Sequence, residues 1–365
     1  MKVMTVLGTR PEIIRLSLII KKLDHHCDHI LVHTGQNYDD SLNKIFFDDL
    51  QLRQPDLYLR VKGKTFGEQI GKLFIESEKA VKKAKPDKIL ILGDTNSGLV
   101  SIVAKRMGIP VYHLEAGNRC FDDRVPEEVN RRIIDHSSTV LLPYTHNSKE
   151  NLLREGIEIN RIYVIGNPIY EVINTHGKKI KGSNIHERLR IEPQSYFLVT
   201  MHREENVDNK HRLSNILTVL DKIQTKYKMP VICSLHPRTE SRMKAFGLTL
   251  GHKNIHFLRP LGFLDFVALE QKAFCVITDS GTVQEECCIF KIPNVTIRDV
   301  TERPETVEVG SNIITGNEPD DMMRCVGVVL AEKKDWVVPR EYLMNNVSST
   351  VVKIIAGFNR IGIPA

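Results

Sequence analysis

Residues 88–117 read KILILGDTNSGLVSIVAKRMGIPVYHLEAG. Lys88 to Leu92 and Val111 to Leu114 are strand-sized apolar runs separated by a segment of helix length, and each run ends in small residues that carry an acid. Two strands joined this way form a βαβ unit, which belongs to a parallel sheet covered by helices. Working outward, Val3 to Leu7, His29 to Val32, Thr139 to Leu142 and Ile162 to Ile165 read as further strands. Between the first two, Glu12 to Leu23 sets Ile13, Leu16, Ile20 and Leu23 at helical spacing. The second half repeats the pattern with Tyr196 to Thr200, Val231 to Leu235, Ile255 to Leu258, Cys275 to Thr278 and Asn294 to Ile297.

The expected architecture is therefore α/β, with two Rossmann-like doubly wound domains. Gly166-Asn167-Pro168 marks the join, and periodicity lapses in the polar, basic stretch THGKKIKGSN from Thr175 to Asn184. This places the domains at 1–168 and 169–347. A last periodic segment, Ser348 to Arg360, either finishes the second domain or crosses back to the first.

The chain has 365 residues, 41% hydrophobic and 26% charged, which excludes a disordered or fibrous protein and suits two domains. Its net charge of +6 is scattered and suits an anionic partner, a small phosphorylated substrate as well as nucleic acid. Seven cysteines without a Cys-x-x-Cys spacing read as reduced thiols, not as disulfides or a zinc site. The N-terminus MKVMTVLGTRPE turns polar too soon for a signal peptide or a membrane span, so a cytoplasmic protein is expected.

Ligands of doubly wound sheets sit beyond the carboxyl ends of the strands, which directs attention to the strand exits. The first exit is Gly8-Thr9-Arg10-Pro11-Glu12, where Arg10 and helix N–H groups could share an anion. Gly93-Asp94-Thr95 and His113-Leu114-Glu115-Ala116-Gly117 each bring an acid, although Asp94 taken singly reads first as a helix cap. Pro126-Glu127-Glu128 opens a helix in which Asn130 and Arg131 follow one turn later. Carboxylates leaving one sheet edge on successive βα units can crowd together, which drives at least one pKa upward and yields acid and base from one side-chain type.

The second half supplies His202-Arg203 and His236-Pro237-Arg238 after its first two strands, with His236 read evenly as ligand or as a satisfied hydrogen-bonder. Asp279-Ser280-Gly281-Thr282 then leads into a helix whose first N–H groups, from Ser280, Gly281 and Thr282, could cradle a diphosphate. Glu286, one turn along, could take ribose hydroxyls, and Arg298 and Arg303 suit the diphosphate.

These blocks, namely GTRPE (Gly8 to Glu12), GDT (Gly93 to Thr95), HLEAG (His113 to Gly117), PEE-x-NR (Pro126 to Arg131), HR-x-EN (His202 to Asn206), TDSG-x-x-QEE (Thr278 to Glu286) and RD-x-TERPE (Arg298 to Glu305), resemble the non-hydrolysing UDP-N-acetylglucosamine 2-epimerases. The resemblance implies a GT-B arrangement of the two Rossmann domains with an interdomain active-site cleft, and a C-terminal helix, 348–365, packed on the first domain. It further implies a homodimer that needs no metal or nicotinamide, binds neither nucleic acid nor membrane, and serves polysaccharide synthesis. By similarity, Asp94, Glu115 and Glu127 form the acid/base set and His202 acts in catalysis. Arg10, Arg131, His236, Ser280, Gly281, Thr282, Glu286 and Arg303 then resemble the UDP ligands. The implied reaction interconverts UDP-GlcNAc and UDP-ManNAc by elimination of UDP through 2-acetamidoglucal and re-addition.

Arg15 stands where many members carry Lys, and Gln36-Asn37-Tyr38-Asp39 where allosteric bacterial members carry Gln-His-Arg, so activation by a second substrate molecule is not expected. Stretches such as HTGQNYD (His33 to Asp39) and HREENVD (His202 to Asp208) also resemble the subgroup forming UDP-N-acetyl-L-fucosamine. That subgroup, and a GT-B glycosyltransferase using a UDP-sugar, are the alternatives.

Overall fold

Apolar runs at the centre of each half of the chain pair with one another in register. In the first half they form β1 (Lys2–Leu7), β2 (Asp28–His33), β3 (Leu57–Tyr58), β4 (Lys88–Leu92), β5 (Val111–Leu114) and β6 (Val140–Leu142). The second half forms β7 (Phe197–Met201), β8 (Val231–Leu235), β9 (Ile255–Leu258), β10 (Cys275–Thr278), β11 (Asn294–Thr296) and β12 (Asn312–Ile314). The computed structural model describes residues 1–35, 40–249 and 254–357, and of residues 40–43 the backbone only. Gln36 to Asp39, and the end of the last helical segment beyond residue 357, lie outside the described residues.

Two compact units result, one of Met1–Asn174 with Arg340–Ala365 and one of Thr175–Pro339. The first holds a six-stranded sheet of order β3-β2-β1-β4-β5-β6, the second one of order β12-β11-β10-β7-β8-β9. The strand pairings within both sheets are parallel. Chain order reverses between β1 and β4 in one sheet and between β7 and β10 in the other. Exits at such reversals diverge and leave a crevice, the usual place for a ligand in this architecture.

Each sheet is covered by amphipathic helices. Helix Arg10–His26 buries Ile13, Leu16, Ile20 and Leu23 completely, the four positions that its periodicity marks. Helix Val347–Ala356 packs within the first unit, where buried Glu171 accepts from the Ser348 N–H at 2.8 Å and its hydroxyl at 2.6 Å. Lys88 reaches the end of that helix, donating to the carbonyls of Ile355 (2.5 Å) and Gly357 (2.7 Å), a cation satisfying otherwise orphaned acceptors.

Two expected elements change, and two short strands carry no sequence signal. The run Ile162–Ile165 makes a single bridge to Leu141 and no strand, although Tyr163 N–H still donates to the Leu141 carbonyl at 3.0 Å. The edge strands β3 and β12 are two and three residues long, too short to show a period. Thr175 to Asn184 is no loop for most of its length, since helix Ile169–Lys181 runs through it. Its buried face, Ile169, Val172, Ile173, His176 and Ile180, keeps helical spacing under polar neighbours. Accordingly the chain changes unit inside that helix, at Asn174/Thr175 instead of 168/169, and returns at Pro339/Arg340 instead of 347/348.

Candidate functional site

In the first unit the exits of β1 and β4, the pair at the reversal, are tied by Glu12. This buried carboxylate accepts from the N–H groups of Gly8 (2.5 Å) and Thr9 (3.1 Å) and from the Thr95 hydroxyl (2.6 Å). Burial pushes its pKa from the ordinary 4.5 up to about 7, against the pull of these donors. The turn carrying Arg10 and the turn carrying Asp94 are thus braced by one titratable group. Because the folded chain prefers the protonated form, Glu12 adds stability that is complete below pH 4.5 and lost as pH rises through 7. By linkage the loss is about 3 kcal/mol. Glu12→Gln imitates the protonated form, so wild type should lose about that much more stability than the variant between pH 4 and pH 8 in urea titrations. Parallel losses would remove Glu12 as the cause.

Asp94 leaves β4 and receives the Arg131 guanidinium through Nε at 3.1 Å and Nη2 at 2.6 Å. Asn130 on the same helix, Pro126–Ser137, donates to the Asp94 carbonyl at 3.0 Å. The other side of Arg131 is held by buried Glu128 at 2.8 Å. Arg131, expected against the nucleotide, is therefore a buried strut between two carboxylates, which orients Asp94.

The adjacent acids Glu127 and Glu128 separate completely. Glu128 is fully buried and accepts from the N–H groups of Cys120 (3.0 Å) and Phe121 (3.2 Å) as well as from Arg131 and Arg132. Burial would raise its pKa, but these donors and the Arg131 charge overcome it and hold the carboxylate below its ordinary value. Glu127 stays half-buried on the outer turn.

Glu115 follows β5, next to β4, and sits in the left-handed region at φ 66°, uncommon for a residue with a side chain. Gly117 is also left-handed at φ 80°, and a Cβ there would lie 2.1 Å from the Ser148 carbonyl, so this bend requires glycine. The Glu115 carboxylate is bonded by buried Arg15 and by Asn118 Nδ2 at 3.2 Å. Arg15 in turn lies 5.5 Å from the Tyr144 ring centroid. The crowding expected among the acids is thus answered by arginines, one on Asp94 and one on Glu115.

In the second unit the exits of β7 and β10 flank the reversal. His202 is half-exposed with its ring 5.8 Å from that of His236. His236 caps helix Pro237–Phe246, its Nδ1 accepting from Arg238 N–H at 3.2 Å, so one ring nitrogen has a structural use. After β10, the N–H of Ser280 donates to the Thr278 hydroxyl at 2.9 Å and is not available for a diphosphate, contrary to expectation. Gly281 and Thr282 open helix Gly281–Phe290, where the N–H groups of a first turn face outward. The Arg303 guanidinium packs on this end, 3.4 Å from where a Gly281 Cβ would stand. Helix end and cation thus meet at one corner, an arrangement that can hold an anion. Arg303 is also paired with buried Glu285. Arg298 lies deeper, bidentate to Glu302 at 2.8 and 2.9 Å, and serves the fold instead of the diphosphate.

Glu286 is buried beside Glu270, at the end of helix Phe263–Glu270. Burial and the neighbouring Glu286 carboxyl push Glu270 well above its ordinary pKa, so the pair keeps a proton in a hydrogen bond between the two. Sequence reasoning missed Glu270, whose signal was an acid ending the apolar run FVALE, and also missed Glu12 and Asp279, each within a quoted motif but not selected.

Among the described residues, no helix is long and apolar enough to cross a membrane. The model of the family described as UDP-N-acetylglucosamine 2-epimerase matches residues 21–356. The UDP-N-acetylglucosamine 2-epimerase of Methanocaldococcus jannaschii is 45% identical over 350 residues, which is 93% of this chain and 95% of that protein. A crystal structure of that archaeal enzyme in complex with UDP-GlcNAc and UDP superposes with a TM-score of 0.93 at 43% identity, over 97% of this chain and 99% of that one. The glycosyltransferase WaaG, at 11% identity and a TM-score of 0.60 over 98% of this chain and all of that one, shares the two-domain Rossmann-like GT-B fold alone. With the family model spanning most of its length and close relatives covered end to end, the chain belongs to the UDP-N-acetylglucosamine 2-epimerase family.

Proposed function

We propose that this chain interconverts UDP-GlcNAc and UDP-ManNAc by inverting C2 of the sugar. The C2 proton is not acidified by a neighbouring ketone, so direct removal would be very slow, and elimination avoids the difficulty. A carboxylate takes the C2 proton, the C2–H electrons form the C1–C2 double bond of 2-acetamidoglucal, and the C1–O electrons leave with UDP. Protonation of C2 on the opposite face and return of UDP to C1 complete the inversion. The observation that carries this reading is the arrangement at adjacent strand exits, Asp94 fixed by Arg131 and Glu115 fixed by Arg15, two carboxylates oriented by separate buried cations. Glu127 completes the acid/base set.

In the same reading, Gly281, Thr282 and Arg303 take the diphosphate with Arg10, Glu286 takes the ribose, and His202 with His236 attends the departing oxygen. Incubation with UDP-GlcNAc in D2O should place deuterium at C2, read by proton NMR, and unexchanged substrate would refute the proposal. Arg303→Lys keeps a cation beside Glu285 but loses the planar fork, so UDP should bind about tenfold more weakly by calorimetry. An unchanged Kd would take Arg303 out of the nucleotide site. Likeness to the family also supports a homodimer, a cytoplasmic location and a part in surface-polysaccharide synthesis, the first tested by sedimentation.

A further inference from the structure

One side chain joins the two exits at the reversal of the second sheet. Asp279, fully buried directly after β10, accepts the His202 N–H at 2.9 Å through Oδ2 and 3.1 Å through Oδ1. Its Oδ2 also accepts from Arg203 N–H at 3.0 Å and Asn206 Nδ2 at 3.3 Å, while Oδ1 lies 3.2 Å from Nδ1 of the His202 ring. Burial opposes ionisation here, yet His202 and the two backbone N–H groups outweigh it and hold the carboxyl down to about 2. An ionised carboxylate only accepts, so a ring nitrogen bonded to it must carry a proton.

We propose that Asp279 is the positioning residue of His202, accepting Nδ1–H, holding the neutral ring in that tautomer and leaving Nε2 as its working atom. The proposal rests on the reading that places His202 at the departing diphosphate. Protonated at Nε2, the imidazolium gives that proton to the UDP oxygen as the C1–O bond breaks, and it returns to the neutral Nδ1–H form still bonded to Asp279. Re-addition of UDP reverses the transfer, so the ring ends each turnover as it began. Only the Nδ1–H tautomer permits this, because an Nε2–H neutral ring has no lone pair at the working atom.

The test is Asp279→Asn in the full chain. Two backbone N–H groups fix the amide oxygen at the Oδ2 position, which turns the NH2 group toward Nδ1 and forces that nitrogen to accept. Nitrogen-15 NMR of the labelled ring should show neutral His202 as Nδ1–H in the wild type and as Nε2–H in the variant, with His202→Gln assigning the signal. With UDP-GlcNAc, kcat should fall about 100-fold while KM changes little, and the loss should not add to that of His202→Gln. A wild-type ring found as Nε2–H, or a tautomer unchanged by Asp279→Asn, overturns the proposal; if the variant does not fold, the wild-type spectrum decides. A wild-type Nδ1–H ring in a chain that exchanges no C2 proton would support the positioning and refute the epimerase reading, so the two failures are distinguishable.

Discussion

Asp94→Asn is expected to lower kcat by about 10²- to 10⁴-fold while leaving the affinity for UDP nearly intact. The amide can still accept one hydrogen bond from Arg131, and Arg131 keeps its 2.8 Å partner Glu128, so the turn after β4 should hold its shape. What is lost is the capacity to take or return a proton. The groups assigned to the nucleotide other than Arg10 belong to the second unit and are untouched by the change. Single-turnover kinetics with UDP-GlcNAc and calorimetry with UDP separate the two effects. Equal losses in kcat and UDP affinity would show that Asp94 binds instead of reacting.

Glu128→Ala is expected to destabilise the chain by about 3–5 kcal/mol, measured by urea unfolding, because it leaves the buried Arg131 without one of its two carboxylates and two backbone N–H groups without acceptors. The neighbouring Glu127→Ala should cost about 1 kcal/mol or less, since its side chain is half-exposed, and should instead depress turnover. If both variants unfold alike, the division of labour between these adjacent acids is wrong. The comparison is sharp because the two residues differ by one position on the helix and by the face they occupy.

The strand-helix alternation was legible because both sheets are parallel and buried, so their strands announce themselves as apolar runs. The strand exits were legible too, since glycine, acid and arginine seldom gather after a strand for packing alone. Less legible were features with no period, such as β3, β12 and the helix that continues through Thr175 to Lys181 under a polar surface. Glu270 and Asp279 were hidden for another reason: what they do depends on the partner that the fold brings, Glu286 in one case and His202 in the other.

Taken alone, then, the sequence determined the fold class, the family likeness and the set of chemically capable residues, because these depend on residue type and spacing along one chain. Tertiary structure decided which member of each set is available. Glu128 and Arg131 are consumed in a buried network while Glu127 stays half-buried, and the Ser280 N–H is bonded to Thr278 while Gly281 meets Arg303. Hydrogen-bond partnership and burial are properties of three-dimensional neighbours, and those neighbours come from residues as far apart in the chain as Arg15 and Glu115.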